Sequence, residues 1–498
     1  MPELFFSRSD NEAKRLSSLA RQGRLHRVRR GVYTDAAPEQ IARLLEKRWY
    51  QIVDYLYPNA IVAYRSAYEL RPVDGHIVIV ADVKKAAHIT VGEGLAILVQ
   101  PGNPELASEP FVPELSRSIE VRYLLENLCS SRSTAAFAKT LGSEWVEDQL
   151  CALLQKRGEA ALNELRDQAR ELVEPLGLRK EFQKLDKIVG AILSSRPVQD
   201  SLVGSLAIAT ARQQPYDAHR VSLFKSMAAY LRQCTFPAHP YSYNSSGWRN
   251  LAFFESYFSN YIEGTEFEID EAEDIIFQKK LVANRHADSH DVLSVFDVVN
   301  DYQEMITTPG SPDELLHLMQ QRHQLIMAER PEKRPGQFKE KNNKAGGTLF
   351  VEPKLLVGTL TQAFNEYLSL PEGLTRALYI QFLVSECHPF DDGNGRLSRI
   401  MMNAELSSAD EFKVLIPTVH RDSYLNGLRQ ATRQGKFRTL AKVFYQLQCY
   451  AESLDWQDYG QLRQTLEEDC CHKLPNEGVA VFNRRIRPFT IELPIGTR

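Results

Sequence analysis

The sequence lacks the features that mark several common classes of protein. Its seven cysteines are odd in number and form no CxxC pair, so neither a disulfide framework nor a zinc site is indicated. No apolar run of about 18 residues occurs, and the start, MPELFFSRSDNEAKR, has no apolar core of the kind that a secretory signal peptide carries. We therefore predict a cytoplasmic protein with reduced thiols and no membrane segment.

The length of 498 residues, 43% of them hydrophobic, exceeds what one hydrophobic core usually serves and predicts two or three domains. A proline-rich stretch follows residue 100, and helical periodicity dominates later in the chain. The fold class is therefore expected to be mainly α. The expected segments are a winged-helix-like basic module with short strands (1–100), a helical linker domain (101–217), a helical bundle (218–455) and a C-terminal extension (456–498).

Positive charge is concentrated at the N-terminus of a chain whose net charge is −4. Within the first thirty residues eight basic side chains oppose three acidic ones, an excess of five positive charges. The pattern there predicts a helix capped near Ser9, a stop at Gly23 and a hairpin-like stretch ending at Gly31. This arrangement resembles the winged-helix module of AbiEi-like antitoxins and regulators, which implies DNA or RNA binding through residues 1–35. A basic helix and hairpin that only packs on its neighbour is the alternative interpretation.

One stretch of twelve residues, HPFDDGNGRLSR (388–399), concentrates polar chemistry. The segment before it, LTRALYIQFLVSEC, is apolar on almost every side, which is typical of a helix in the middle of a bundle. Pro389 ends that helix, and Gly393 and Gly395 allow tight turns in which successive N–H groups point towards one anion. A second helix is predicted to begin near Gly395, and its N-terminus adds free N–H groups and partial positive charge.

The side chains of the same stretch suit a polyphosphate. Arg396 and Arg399 are three positions apart on the second helix and offer two planar forks for phosphate oxygens. Asp392 can hold a magnesium ion, and His388, with an ordinary pKa of ~6.5, can take a proton from an incoming hydroxyl. A glycine turn whose arginines pair with surface acids is the plainer alternative. No third glycine completes GxGxxG, and no GKS or GKT follows to make a P-loop.

The twelve residues match in full the HPFx(D/E)GNGRxxR signature of the Fic (Fido) family, which they therefore resemble. The resemblance implies a helical domain over roughly half the chain that moves AMP from ATP to a Ser, Thr or Tyr hydroxyl of a protein and releases pyrophosphate. It implies that His388 is the base, that Asp392 is the magnesium ligand and that Asn394 donates to the α-phosphate. It also implies that Arg396 and Arg399 contact the leaving phosphates and that Gly393 and Gly395 belong to the nucleotide-binding loop.

Two further stretches are similar to other parts of the family. PGQFKEKNNKAGGTLFVEP (335–353) predicts a hairpin similar to the family's flap, which binds the target's backbone as an added strand, and Phe338, Lys339 and Phe350 are assigned to it. RDSYLNGLRQA (421–431) looks like the family's helix over the nucleotide base, which implies contacts from Tyr424 and Asn426. For Tyr424, a place in the hydrophobic core is the alternative interpretation.

A segment far upstream, FFESYFSNYIEGTEFEI (253–269), predicts a helix ended by Gly264. Ser259 and Glu263 are four positions apart and share one side of it. A carboxylate in the last turn meets the negative end of the helix dipole, so Glu263 needs a cation as its partner. SNYIEG matches the inhibitory (S/T)xxxE(G/N) motif of the Fic family, which implies that Glu263 pairs with Arg399 and blocks the seat of the γ-phosphate.

Together, the resemblances to the Fic family imply a protein adenylyltransferase that Glu263 inhibits within the same chain. ATP is the expected substrate, magnesium the expected cofactor, and the expected partners are an unidentified target protein and the enzyme itself by auto-AMPylation. A function of another class is also open: a DNA-binding transcriptional regulator or antitoxin whose Fic domain senses nucleotide. AMP transfer to protein would favour the first, and operator binding that ATP alters without AMP transfer would favour the second.

Overall fold

The computed structural model describes residues 2–112, 115–131, 137–194, 201–345 and 347–495. The chain separates into two compact units, Met1–Gln213 and Gln214–Arg498. Parts of the segment 101–217, at 113–114, 132–136 and 195–200, lie outside the described residues. Within the described ranges, no helix is both long and apolar enough to cross a bilayer.

The first unit mixes short strands with helices. The longest helix, α6, is interrupted at Gly158, where the backbone is non-helical. The elements are β1 (Leu4–Phe6), α1 (Asp10–Arg21), β2 (His26–Arg29), β3 (Val32–Thr34), α2 (Pro38–Lys47), α3 (Trp49–Leu56), β4 (Ile61–Val62), α4 (Arg65–Glu69), β5 (His76–Ala81), β6 (Ala87–Val91), β7 (Leu95–Pro101), β8 (Ser108–Val112), β9 (Leu115–Ser118), α5 (Glu120–Asn127), α6 (Ser143–Leu176), α7 (Arg179–Ile192) and α8 (Ser205–Ala211).

The described strands of the first unit form two sheets. β1, β3 and β2 make a small antiparallel sheet that packs through Tyr33 on Leu16 of α1, and the Ser9 side chain caps that helix as predicted. The second sheet has the strand order β6-β7-β5-β4-β9-β8, in which β5 pairs parallel with β7 and β4 parallel with β9. Its apolar face packs Ile77 and Ile97 against Trp49 of α3.

The second sheet differs from the division predicted at residue 100. β7 runs through that boundary, and β8 and β9 continue the same sheet to Ser118. Pro101 lies at the end of β7 and Pro110 on the edge strand β8, positions at which proline is compatible with a sheet. Proline content therefore marked strand ends and an edge, and Pro113 lies outside the described residues.

The second unit is mainly helical. It contains one short hairpin, β10 with β11, among the residues described there. The elements are α9 (Ala218–Leu231), α10 (Ser245–Ile262), α11 (Ile269–Gln278), α12 (His286–Asn300), α13 (Tyr302–Met305), α14 (Pro312–Ile326), β10 (Lys344–Ala345), β11 (Thr348–Leu349), α15 (Pro353–Tyr367), α16 (Leu374–Cys387), α17 (Asn394–Ser408), α18 (Arg421–Gln434), α19 (Arg438–Glu452), α20 (Tyr459–Glu468) and α21 (Pro475–Ile486).

Helices α10, α16 and α17 lie at the centre of the second unit. Almost every residue of α16 is buried, as its apolar sequence predicts. α16 ends at Cys387 and α17 begins at Asn394, so the residues 388–393, here called the motif loop, connect two buried helices. α10 ends at Ile262 with Glu263 as its C-cap, and Gly264 follows in a left-handed conformation. The loop thus has a rigid support on both sides.

The C-terminal segment contributes to the core of the second unit over its described residues, 456–495. Leu462 and Leu466 of α20, and Phe482 and Ile486 of α21, are buried in the same hydrophobic cluster as α16 and α17. The boundary predicted at 455 therefore separates residues that share one core. The spacing of apolar residues in α20 and α21 predicts helices, but it does not say which core they join.

Candidate functional site

The motif loop turns sharply at both ends. His388 ends α16 with a φ of 49°, in the left-handed region that a non-glycine residue rarely adopts. Gly393 precedes α17 with a φ of 72°. A Cβ at Gly393 would lie 2.8 Å from the Met327 Sδ atom, so this position requires glycine for its conformation and for its space.

Asn394 and Phe390 stabilise the loop from inside. The Asn394 side chain accepts a hydrogen bond from the Phe390 N–H and donates one to the Phe390 carbonyl oxygen, both at 2.9 Å. Both ends of the Asn394 amide are therefore engaged by the loop in this structure. The Phe390 ring is buried and stacks on the imidazole of His323 with 3.8 Å between ring centroids.

His323 of α14 is a loop contact that the sequence did not reveal. Its Nδ1 accepts a hydrogen bond from the Gly336 N–H at 2.9 Å, and its Nε2 donates to the Asp392 carbonyl oxygen at 3.0 Å. Burial lowers the pKa of His323 to about 4. A neutral ring with its proton on Nε2 satisfies both bonds, so His323 connects α14 to the motif loop without adding charge.

His388 is held as a neutral imidazole. Burial, with a smaller contribution from the nearby Lys339 ammonium, lowers the pKa of His388 to about 4. Its Nδ1 lies 3.4 Å from the Ser385 carbonyl oxygen, a contact that places the ring proton on Nδ1. Nε2 then keeps its lone pair. The Phe350 ring covers one face of the imidazole, with 3.9 Å between centroids and 4° between planes.

The hairpin predicted at 335–353 is present. β10 and β11 are antiparallel and pair Lys344 with Leu349. Phe350 follows β11 and stacks on His388, whereas Phe338 packs on Phe390 with 5.3 Å between centroids. Lys339 is only 3% exposed, so its side chain belongs to the interior of the flap rather than to a surface that a target could touch. Burial lowers the pKa of Lys339 to about 8.

Arg399 contacts both residues of the predicted inhibitory motif. Its Nε donates to the Ser259 hydroxyl at 2.9 Å, and its Nη2 donates to the Glu263 carboxylate and to the Ser259 carbonyl oxygen, both at 2.8 Å. Burial alone would lower the pKa of Arg399, but the Glu263 carboxylate and, to a smaller extent, the Tyr424 hydroxyl together outweigh burial, and the pKa lies above its ordinary value. The same carboxylate lies against Gly395, where a Cβ would overlap it.

The contact between α10 and α17 extends over two further turns. Glu255, Ser259 and Glu263 are spaced by four along α10, and the Asn403 amide donates to Glu255 at 2.8 Å. The Lys413 ammonium donates to the other Glu255 oxygen at 2.9 Å. Glu263 is therefore the last member of a polar row whose other members are buried, and α10 is packed in the core.

Arg396 has a different environment from Arg399. Its guanidinium is buried and pairs at 2.9 Å with Asp291 of α12, a carboxylate that also pairs with Arg330. The sequence predicted two arginine forks in one phosphate site. In this structure Arg399 lines the cavity described below and Arg396 does not; Arg396 instead pairs with a buried carboxylate more than a hundred positions upstream. Asp291 is a further contact that the sequence did not reveal.

A cavity of 380 Å³ opens beside the N-terminus of α17. His388, Gly395 and Arg399 line it from the motif, Glu263 from the end of α10, and Phe350 from the flap. The remaining lining residues are Ala345, Thr348, Ser385, Glu386, Tyr424, Leu425, Leu428, Arg429, Thr432 and Arg433. The cavity therefore brings together the predicted base, one predicted phosphate contact and the predicted inhibitory carboxylate.

α18 forms one wall of the cavity. Tyr424 is buried, lines the cavity, and accepts a hydrogen bond from the Gln381 amide at 2.8 Å, so its ring belongs to both the core and the site. The structure does not bring Asn426 there, because Asn426 is exposed and is absent from the lining. Arg429 and Arg433, five and nine positions after Tyr424, line the wall and were not identified from the sequence.

Asp392 has the properties of a single carboxylate ligand for magnesium. Its Oδ1 accepts a hydrogen bond from the Gly393 N–H at 2.8 Å, and its Oδ2 lies 3.5 Å from the Lys333 ammonium. Burial raises the pKa of Asp392, but the Gly393 N–H and the neighbouring cations outweigh it and leave the net pKa below its ordinary value. Among the described residues no cluster of three or more metal-binding side chains occurs. This donor set fits a magnesium ion that takes its other ligands from phosphate and water.

Residues 313–406, from α14 through the flap and the motif loop into α17, match the Fic/DOC family. These residues form a Fic domain. The protein adenylyltransferase Fic of Drosophila erecta is 25% identical over 210 residues, which are 41% of this chain and 41% of that protein. The protein of the same name from Culex quinquefasciatus is 24% identical over 204 residues, 40% of each chain. The chain thus spans about two fifths of the length of the curated relatives it matches.

One solved structure that resembles the chain is Fic-1 (aa134–508) from C. elegans, with a TM-score of 0.36 and 14% identity over 64% of this chain and 92% of that chain. Another is a Fic domain containing signaling protein from Bacteroides thetaiotaomicron, with a TM-score of 0.32 and 17% identity over 55% of this chain and 99% of that chain. Both TM-scores lie below 0.5, so these structures do not identify the domain. The Fic domain is identified from the residues that match the family and from the motif.

Proposed function

We propose that this protein transfers AMP from ATP to a Ser, Thr or Tyr hydroxyl of a target protein and that Glu263 inhibits the transfer. One observation carries the proposal: His388, the Arg399 guanidinium and the N-terminus of α17 meet in the same 380 Å³ cavity. A neutral imidazole with a free lone pair suits proton removal, and a guanidinium beside a helix N-terminus suits phosphate. The target and its modified residue are left open.

The residues have defined tasks in such a transfer. The hydroxyl oxygen of the target attacks the α-phosphorus, the bond to the β-phosphate breaks, pyrophosphate leaves, and Nε2 of His388 takes the hydroxyl proton. Arg399 and the N–H groups at the start of α17 would bind the phosphates. Asp392 would hold a magnesium ion, which when bound neutralises developing charge on the phosphate oxygens. Asn394 and Arg396 could bind phosphate only after breaking their present contacts with Phe390 and Asp291.

The inhibition follows from the contacts of Arg399. A guanidinium already bonded to Glu263 and Ser259 cannot at the same time hold the γ-phosphate through the same N–H groups. α10 is held in the core by Glu255, Lys413 and Asn403, so the carboxylate is present at a high effective concentration. Release then requires movement of the Glu263 side chain or of the end of α10, while the rest of the helix stays packed.

The proposal is tested by incubating a cell lysate, and the protein itself, with labelled ATP and magnesium. The Glu263→Gly variant should label protein, with auto-modification as the first signal, and mass spectrometry should find AMP on a hydroxyl side chain. The Glu263→Gly, His388→Ala double variant is the control and should label nothing. Nucleotide binding without any protein-bound AMP would contradict the proposed transfer.

A second function is favoured by a specific feature of the first unit. A cleft of 860 Å³ lies between α1 and the β1-β3-β2 sheet. The cations that line it, here called the basic cleft, are all exposed, and their side chains have no acidic partner among the residues described; they are Arg8, Lys14, Arg21, Arg27 and Arg30. Asp10 also lines the cleft, so five unpaired cations face one carboxylate, and this excess of positive charge on a concave surface suits a phosphate backbone. We therefore propose nucleic-acid binding by this unit beside the AMP transfer.

A further inference from the structure

The flap, residues 335–353, forms an unusual set of hydrogen bonds with the end of α16 and the motif loop. Four consecutive carbonyl oxygens, from Cys387 to Phe390, each accept a hydrogen bond from one of two flap residues, Lys339 and Asn343. The bonds are Lys339 Nζ to Cys387 at 3.1 Å, Asn343 Nδ2 to His388 at 3.2 Å, the Lys339 backbone N–H to Pro389 at 2.9 Å and Asn343 Nδ2 to Phe390 at 2.9 Å.

Lys339 and Asn343 also complete each other's hydrogen bonding. The Lys339 ammonium donates to the Asn343 Oδ1 at 2.7 Å, while both Asn343 amide protons are used on the loop carbonyls. Lys339 is buried without a carboxylate partner among the described residues, unlike the buried Lys413, which pairs with Glu255. Burying an ammonium against carbonyl dipoles alone is costly. The cost indicates a function for the cation at this position.

These hydrogen bonds hold the backbone on both sides of His388, whose φ angle is in the left-handed region. A strained backbone conformation persists only where the surrounding structure fixes it. Here Asn343 fixes the carbonyl of His388 itself, and Lys339 fixes the carbonyls before and after it. The Asn343 carbonyl oxygen also accepts a hydrogen bond from the Phe350 N–H at 3.2 Å, which places the ring that covers the His388 imidazole.

We propose that Lys339 and Asn343 are positioning residues that hold His388 in the orientation needed for proton removal. The inference rests on the proposed AMP transfer, because it assigns these residues a part in that step. Neither side chain is placed to touch nucleotide: Lys339 is buried, and neither residue lines the cavity. Misplacing a reacting group by about 1 Å can cost on the order of 10²-fold in rate. Loss of the hydrogen bonds should therefore lower kcat and leave the affinity for ATP almost unchanged.

The test uses the full chain in the released Glu263→Gly background. Asn343→Ala removes the donors to the carbonyl oxygens of His388 and Phe390. Asn342→Ala is the matched control, because the Asn342 side chain is exposed and makes no hydrogen bond within the described structure. Lys339→Met removes the cation at similar length, and Lys339→Arg restores a donor. We expect kcat to fall on the order of 10-fold or more in Asn343→Ala and Lys339→Met, with KM for ATP changed less than about 3-fold, and partial rescue by Lys339→Arg.

A second measurement does not depend on catalysis. The amide of Lys339 donates to the Pro389 carbonyl oxygen, so hydrogen–deuterium exchange at Lys339 should accelerate in Asn343→Ala and stay unchanged in Asn342→Ala. If the parent transfers no AMP, the proposed function fails. The exchange measurement stays informative in that case, because an unchanged exchange rate of the Lys339 amide in Asn343→Ala would by itself overturn the inference. With an active parent, equal kcat in Asn343→Ala and Asn342→Ala would overturn it. So would a loss of kcat accompanied by an equal loss of ATP affinity and thermal stability, because that marks general unfolding.

Discussion

The Arg399 guanidinium bonds simultaneously to the Glu263 carboxylate at 2.8 Å and to the Ser259 hydroxyl at 2.9 Å. Arg399 is buried, whereas about a third of the Glu263 side chain is exposed, 34% by area. The exposed partner can therefore leave without opening the core, and the guanidinium that it leaves behind still faces the cavity. Because of this difference in exposure, removing the Glu263 side chain should change activity with less change in fold than removing the Arg399 side chain.

Replacing Glu263 by glycine should raise AMP transfer by about 10-fold or more, because an intramolecular carboxylate competes with the γ-phosphate at high effective concentration. The gain should appear in kcat rather than in KM for ATP. Turnover of labelled ATP onto protein measures it. Adding Arg399→Ala should cancel most of the gain, since the two residues share one contact. Unchanged turnover in Glu263→Gly on a verified target would contradict the inhibitory role.

Replacing His388 by alanine in the released background should lower AMP transfer by roughly 10²-fold or more while nucleotide binding persists. The reason is that Nε2 of His388 has a free lone pair at the cavity and no contact that would hold the phosphates. Isothermal calorimetry with a non-hydrolysable ATP analogue and magnesium gives the binding control. Near-normal transfer by His388→Ala would rule out its role as the base.

The pH dependence of transfer should reflect the depressed pKa of His388, which is about 4. Only the neutral imidazole accepts a proton, so kcat/KM should be flat from about pH 6 to 8 and fall only as the pH approaches that value. A histidine at its ordinary pKa would instead lose half of its activity near pH ~6.5. The profile is measured in Glu263→Gly, with circular dichroism at each pH as the control for folding. A midpoint near neutrality would show that His388 is not held as the structure describes.

The same shift has a consequence for stability. Because the folded-state pKa of His388 lies below its unfolded value, the unfolded chain binds more protons between roughly pH 6.5 and 4, and stability is lost as the pH falls through that window. The contribution is fully present above the unfolded pKa. His388→Gln should make the free energy of unfolding less dependent on pH between these values. Urea denaturation at pH 7 and pH 5, compared with the parent, measures the difference, and an unchanged dependence would be contrary to expectation.

Replacing Asp291 by alanine should destabilise the second unit by about 3–5 kcal/mol, because it leaves the buried Arg396 without its partner. The two side chains are 3% and 5% exposed. Asp297 lies on the same helix, is 58% exposed and approaches Lys279 only to 3.6 Å. Asp297→Ala is therefore the matched control, with an expected change within about 1 kcal/mol. Urea denaturation compares the two, and equal midpoints would show that the Asp291–Arg396 pair adds no stability.

The basic cleft should bind duplex DNA or RNA with an affinity that falls steeply as salt rises, because neutralised phosphates release counterions. The Arg27→Ala, Arg30→Ala double variant should reduce both the affinity and the salt slope. Lys84→Ala with Lys85→Ala is the control, since this exposed basic pair lies outside the cleft. Fluorescence anisotropy of the full chain with labelled oligonucleotides measures both. Equal affinities for the two double variants, or binding to acidic vesicles alone, would remove the nucleic-acid proposal.

Local sequence determined the elements around the candidate site. The apolar segment before the motif predicts α16, Gly393 predicts the turn before α17, and Gly264 predicts the end of α10, and the structure confirms each. Gly395 does not form a turn: it lies in the first turn of α17, where the Glu263 carboxylate leaves no room for a Cβ. These features depend on periodicity and on backbone conformations that only certain residues adopt, so a window of a few turns contains the necessary information. The pairing of Glu263 with Arg399 was also predicted, although only through the resemblance of two short motifs.

Tertiary structure decided which side chains meet. Asn426 is exposed and does not line the cavity, and Arg396 pairs with Asp291 of α12 instead of lining it. His323 and Asn343 bind the motif loop from segments 45 to 69 positions away. Helical periodicity places a residue on a face but does not say which partner covers that face. Hydrogen bonds between distant segments form only when the whole core is packed, and for that reason the positioning of His388 could not be derived from the sequence.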